Sequence, residues 1–171
     1  EPRDEVAIPE TARTLEDFRQ RYPNHPGAAD VLLKDCRERE DDRKFLEAAQ
    51  SYLSIKTDSS VYREAQVRAG QNLYQHANYL INQEKKPVAE AKQILDQVEP
   101  ILGKVVPQLE AEMAKTLDFQ LQSRWASLAF QGRKVLASTL LLQPGLESKA
   151  LKSLESVEGV YQAYPNYIGQ T

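Results

Sequence analysis

The sequence predicts an all-α fold. Apolar residues recur at the three- and four-residue spacing of helices along almost the whole chain, and no segment reads as a convincing strand. Glycine is scarce, with 7 residues that mostly stand near expected turns. The length of 171 residues suffices for one continuous core and gives no reason to expect a second domain.

The sequence predicts a short polar extension followed by one helical domain. Residues 1–9 form a polar extension, and because the chain begins with Glu1 rather than Met, we expect it to be a fragment of a longer protein. Residues 10–171 are expected to form a single helical domain. Proline, glycine and polar turns divide that domain into helices over residues 10–22, 27–39, 45–55, 61–82, 88–99 and 146–164, and into a long helical stretch over 107–143.

An apolar stripe defines each of the first four helices. Pro23 stops the first of them, and the polar loop 57–60 supplies the side-chain oxygens that start the fourth. The stripe of the fourth helix is rich in alanine, which permits close approach of a neighbouring helix. In chain order the four stripes are Leu15, Phe18 and Tyr22; Ala28, Ala29, Leu32, Leu33 and Cys36; Phe45, Ala48, Ala49, Tyr52 and Ile55; and Tyr62, Ala65, Ala69, Leu73, Ala77 and Leu80.

Prolines are expected to interrupt the second half of the chain. Pro100 ends the fifth helix and Pro107 interrupts the chain again, because proline lacks the N–H group that a helix interior uses. The stretch after Pro107 is longer than ordinary globular helices, so we expect a kink or break near Gly132. Pro144 and Gly145 form a turn before the last helix.

Composition and charge narrow the classes of partner. The chain carries 22 basic and 25 acidic side chains, a net charge of −3, and neither sign forms a long block. Nucleic acid and anionic membranes are bound through clustered Lys and Arg, so neither is expected as a partner. The longest apolar stretch, around Leu140 to Leu142, is far too short to span a bilayer. Cys36 is the only cysteine, so no internal disulfide can form, and we expect it to pack on a helix.

Few residues could carry catalysis or bind a metal. His25 stands in an expected turn and His76 on an expected helix, and they form no His-x3-His pair and no spaced Cys-His set. The sequence has no glycine-rich phosphate loop and no Gly-x-Ser-x-Gly motif. The acidic run from Asp35 to Asp42 is interleaved with arginine and lacks the central glycine of a calcium loop, which predicts a solvated surface. We therefore expect no enzymatic activity, no cofactor and no metal.

Two segments share the spacing of one helical repeat. Phe18 and Tyr52 lie 34 residues apart. A second segment begins with the aromatic residue Phe45 and has alanine three positions later, at Ala48. It continues with an aromatic residue four positions further on, at Tyr52, and with an apolar residue three positions after that, at Ile55. With this period and this pattern the chain resembles the tetratricopeptide repeats. The resemblance implies a structural role in the repeat for Phe18, Pro26, Phe45, Ala48, Tyr52, Ile55 and Gly70.

The resemblance also implies a fold and a class of function. Tetratricopeptide repeats are antiparallel helix pairs that stack into a right-handed superhelix with a concave ligand surface, and they bind proteins. The repeat pattern stops after about residue 82, so an irregular second half is expected, and an irregular helical bundle is the alternative fold. The Tyr-Pro-Asn turn at 22–24 is similar to one in bacterial cell-envelope repeat proteins, which favours a periplasmic or cell-envelope location over the cytoplasm.

Gln71, Tyr74 and Asn78 form the candidate partner-binding face on the fourth helix, whereas Tyr62 is expected in the core. Tyrosine and asparagine suit recognition because they combine rigid contact area with hydrogen bonding. The expected function is a non-catalytic scaffold that binds a protein or peptide partner. The alternative is a structural spacer or self-association segment inside a larger envelope-associated protein. Such a segment would either form a homo-oligomer or dock against the flanking sequence.

Overall fold

The structure is a computed structural model that describes residue 17, residues 21–22, residues 26–153 and residue 155. These residues contain α-helices and no strand, which confirms the predicted all-α class. The polar extension 1–9, nearly all of the first predicted helix and the signature residue Phe18 lie outside the described residues. The last predicted helix is described over 147–153 and at residue 155.

The predicted helices of the first half are present with small shifts at their ends. The third predicted helix ends two residues early, yet Ile55 beyond its end is still buried. The fourth begins one residue later than predicted and ends as predicted. In chain order the helices are α1 (Pro26–Asp41), α2 (Phe45–Leu53), α3 (Tyr62–Asn82), α4 (Val88–Lys115) and α5 (Phe119–Leu141).

Each of these helices packs against the next one along the chain, and α3 also packs against α5. The α3 and α4 helices are antiparallel, since Gly70 faces Leu102 while the earlier residue Arg63 pairs with the later residue Glu112. Short connections over 42–44, 83–87 and 116–118 join consecutive packed helices. Helix-pair packing therefore organises the described part of the chain.

The main core is built around α4. Two glycines on the flanking helices allow close approach to it: a Cβ atom on Gly70 would lie 2.8 Å from the Leu102 side chain, and one on Gly132 would lie 2.5 Å from Val106 Cγ2. A second core joins α1, α2 and the start of α3. The buried residues of the main core are Ala49, Val67, Leu73, Val98, Leu102, Val105, Val106, Leu109, Leu128, Ala129 and Val135.

The prediction that prolines interrupt the second half is wrong. Pro100 and Pro107 both lie inside the continuous helix α4. They are seven residues apart and therefore share one face, which is exposed, so water can bind the carbonyl groups that lose a helical N–H partner. Between the two prolines, Leu102, Val105 and Val106 are buried on the opposite side. Burial of that face stabilises the helix enough to tolerate both prolines.

The predicted break near Gly132 is also misplaced. Gly132 lies within α5 and is buried against α4, where its missing side chain is needed for packing. The chain instead breaks over 116–118. Asp118 starts α5, because its carboxylate accepts hydrogen bonds from the backbone N–H groups of Gln120 and Leu121 at 2.8 and 3.0 Å.

In the described part of the chain, no helix has both the length and the apolar character that a membrane crossing needs.

Candidate protein-binding face

Glu64, in the first turn of α3, is the centre of an ion-pair network that joins three helices. Its side chain is only 8% exposed. Arg37 of α1 donates to Oε1 at 2.9 Å, and Arg124 of α5 donates to Oε2 at 2.6 Å. Arg68, one turn further along α3, donates to Oε1 at 3.2 Å. We call Arg37, Arg68 and Arg124 the arginine cluster.

The arginine cluster keeps the buried Glu64 ionised. Burial is the largest influence on the pKa of this carboxyl group and by itself raises the pKa. The hydrogen bonds from Arg124 and Arg37, with the charges of Arg124 and Arg68, outweigh burial and lower the pKa below 4.5. A buried charge is otherwise costly, so Glu64 and the arginines hold one another in place.

The network continues from Arg68 to a second carboxylate. Arg68 Nη1 lies 3.4 Å from Glu40 Oε2, and the Tyr52 hydroxyl donates to the same oxygen at 2.9 Å. Burial raises the pKa of the Tyr52 hydroxyl, and the neighbouring charge of Glu40 raises it further. The prediction of a solvated surface over 35–42 is therefore wrong for Glu40, whose side chain is only 21% exposed and joins this network. Sequence spacing alone gave no sign that Arg68 and Tyr52 would contact it.

Two arginines of the cluster also face solvent. Arg37 is 49% exposed and Arg124 is 48% exposed, although each is anchored on Glu64. The half-buried Trp125 ring lies beside Arg124 and Arg63, whose guanidinium carbons are 5.7 and 5.9 Å from the ring centroid. Arg63 is in turn 3.5 Å from Glu112 of α4. The result is a surface of positioned guanidinium groups beside an aromatic ring.

The three predicted partner-binding residues lie on the same helix as Glu64. Glu64, Gln71 and Asn78 are spaced by seven residues, close to two helical turns, so they form one stripe along α3. Gln71, Tyr74 and Asn78 are all partly buried. Tyr74 packs against the main core, and Asn78 Oδ1 accepts a hydrogen bond from Asn82 at 2.6 Å. The structure thus aligns the predicted face with the arginine cluster, which lies at one end of it.

The exposed guanidinium groups set the chemistry that this face can offer. Guanidinium groups stay protonated at physiological pH and offer directed N–H donors to anions. No group of three His, Cys, Asp or Glu residues with the geometry of a metal site occurs in the described ranges. His76 lies apart from the arginine cluster, beside a groove of about 500 Å³ that Phe45 and Tyr79 also line.

The arginine cluster could not be read from the sequence. Arg37 and Arg124 lie 27 and 60 residues from Glu64, and neither belongs to a local motif. One local sign was present, since Glu64 and Arg68 have the spacing of a helical ion pair. That spacing is common on solvated helix faces, so it did not single out Glu64 as buried.

Comparison with known proteins gives no further assignment. This chain matches no protein-family model, no curated protein and no solved structure.

Proposed function

We propose that this chain is a non-catalytic helical module that binds a segment of another protein. The segment would lie along the α3 stripe of Glu64, Gln71 and Asn78 and along the adjoining arginine cluster. The observation that carries the proposal is the convergence of Arg37 and Arg124, from two different helices, on Glu64 of a third. These side chains are already ordered before a partner arrives, which lowers the entropic cost of binding. Gln71 and Asn78 extend the same face with amide groups.

A tetratricopeptide-like arrangement fits this proposal. The helix pairs α1/α2 and α3/α4 are each joined by a short connection, and Ala48, Tyr52 and Ile55 of the repeat pattern are buried. Gly70 contacts α4, in agreement with a small residue that allows close helix packing. In such a stack α1, α3 and α5 would line one surface. The ion pairs of Glu64 with Arg37 and Arg124 support this arrangement, because they bring those three helices together.

A peptide selection tests the proposed function. A random peptide library displayed on phage is selected against the parent protein and against the Tyr74→Ala, Asn78→Ala double variant, and the retained peptides are sequenced. We expect the parent to enrich a defined set that the double variant loses. The matched control is the Tyr79→Ala, Gln83→Ala variant, which changes an exposed tyrosine and an exposed amide outside the stripe. No enrichment by the parent, or equal enrichment by the double variant, would refute the proposal.

Self-association is the second candidate function, and a separate surface favours it. Leu117 in the connection between α4 and α5 is fully exposed, and Phe119 is 65% exposed. Contiguous exposed apolar patches mark sites of association, and Leu117 and Phe119 are only two residues apart in the chain. Light scattering over a range of protein concentrations tests the idea, with Leu117→Ser, Phe119→Ser compared against Leu141→Ser, Leu151→Ser. A dimer that only the first variant abolishes would support self-association, whereas a monomer at all concentrations would refute it.

A further inference from the structure

Two members of the arginine cluster, Arg37 and Arg124, keep unused hydrogen-bonding capacity. A guanidinium group has five N–H donors. Arg37 and Arg124 each reach Glu64 through Nη2, and in the described residues no other hydrogen bond is made by either side chain. Because about half of each side chain is exposed, the remaining donors are accessible to a ligand.

The ion-paired groups around Glu64 carry one excess positive charge, although the chain as a whole is negative. The arginine cluster and Arg63 carry four positive charges, and Glu40, Glu64 and Glu112 carry three negative charges. The net charge of the chain is −3. An anionic group is therefore attracted to this end of α3 and repelled by the average surface elsewhere.

Resting on the proposed function, we propose that the bound segment is acidic and that its Asp or Glu carboxylates bind Arg37 and Arg124 next to Trp125. Arginine binds carboxylate through paired hydrogen bonds, and the ordered guanidinium groups favour a short segment with carboxylates close together. The exposed part of Trp125 provides apolar contact for an adjacent side chain. The Glu64 carboxylate already binds Arg37 and Arg124 inside the protein, and the carboxylates of the segment would bind the remaining N–H groups of the same two arginines.

The small number of accessible cations favours a protein segment over nucleic acid. Nucleic-acid affinity comes from many phosphate contacts along a basic surface. Here Arg37 and Arg124 are the principal donors, and the chain's net charge of −3 opposes a long polyanion. A segment with a few carboxylates matches this site in both extent and charge.

Fluorescence anisotropy with synthetic peptides tests the inference. The first probe is a labelled peptide in which glutamate alternates with alanine and phenylalanine, and the matched probe has glutamine in place of every glutamate. We expect the parent protein to bind the glutamate peptide at least about tenfold more tightly than the glutamine peptide, the range for hydrogen bonds to charged groups. The difference should shrink at high salt.

Two pairs of variants locate the binding. Arg37→Gln with Arg124→Gln should lose about tenfold or more in affinity for the glutamate peptide. Arg39→Gln with Lys134→Gln, which removes the same charge from exposed positions on the same helices, should stay within about twofold. If the glutamine variant fails to fold, Arg37→Lys with Arg124→Lys replaces it, and weaker binding is still expected because lysine lacks the planar donor pair.

Three results would overturn the inference, and they distinguish it from the proposed function. Enrichment of non-acidic peptides in the phage selection, lost with Tyr74→Ala and Asn78→Ala, would reject an acidic partner and leave the binding module in place. Failure of the parent to retain any peptide would reject both. Arginine-dependent binding of an oligonucleotide or an anionic vesicle, without binding of the glutamate peptide, would assign the cluster to another anion.

Discussion

Arg124 Nη2 lies 2.6 Å from Glu64 Oε2, although 60 residues separate the two in the chain. Because Glu64 also binds Arg37, this one carboxylate connects α1 with α5. The proposed binding surface therefore depends on the same group that organises the helices. Changes at Glu64 and changes at the exposed arginines are expected to have different consequences.

Glu64→Gln should lower the free energy of unfolding by about 1–3 kcal/mol. Removal of one partner from a buried ion pair costs more than this, but solvent screens the half-exposed arginines. Urea unfolding followed by circular dichroism measures the change. Glu90→Gln breaks an exposed pair with Lys86 on the surface of α4 and should change stability by less than about 0.5 kcal/mol. Equal effects of the two substitutions would contradict the central role of Glu64.

The stability that Glu64 contributes should depend on pH. Its folded-state pKa is lowered from 4.5, so the folded protein binds a proton less readily than the unfolded chain. The contribution is complete above pH 4.5 and is lost as the pH falls through the lowered pKa. Parent and Glu64→Gln proteins should therefore differ most near neutral pH and converge in acid. A stability difference that stays constant from neutral to strongly acidic pH would count against this assignment.

Two alanine substitutions on glycine should have opposite effects. Gly132→Ala places a methyl group against Val106 and should destabilise the protein by about 1–3 kcal/mol through overpacking. Gly103 lies in α4 with open space around it, so Gly103→Ala should stabilise the helix by about 0.5–1 kcal/mol. Thermal unfolding of both variants checks the signs. Stabilisation by Gly132→Ala would show that α4 and α5 are not packed as described.

Asp118→Ala should weaken the start of α5. The side chain caps two backbone N–H groups, and loss of such a cap costs about 0.5–2 kcal/mol. Asp118→Asn keeps an oxygen acceptor and should retain most of the stability. Denaturant unfolding of the two variants separates capping from the general effect of removing an exposed acidic residue. An alanine variant as stable as the asparagine variant would argue against the cap.

Local sequence patterns predicted much of the fold. The apolar spacing predicted α2 and α3 to within two residues at each end, and the alanine-rich stripe of α3 is largely buried. The errors arose where packing outweighs local preference. Pro100 and Pro107 are tolerated because the opposite face of α4 is buried, and Gly132 serves close packing within a helix rather than a break.

The candidate site was less accessible to sequence reasoning. Gln71, Tyr74 and Asn78 could be placed on one helix because they are close in the chain, and their role in binding stays a prediction. The arginine cluster depends on contacts between α1, α3 and α5, and such contacts leave no periodic signal. In the sequence, Arg37 is one of several charges in a polar run, and only the structure shows its contact with Glu64 of α3.

The position of Glu64 between α1 and α5 has a consequence for how the chain unfolds. Stacked helix pairs that contact only their neighbours can lose their terminal units one at a time. Here both α1 and α5 help to exclude water from Glu64, and water entering on either side would raise the local dielectric and weaken the remaining ion pair. Detachment of one flanking helix therefore loosens the other. We expect the helices around Glu64 to unfold in one cooperative transition, without fraying from the ends.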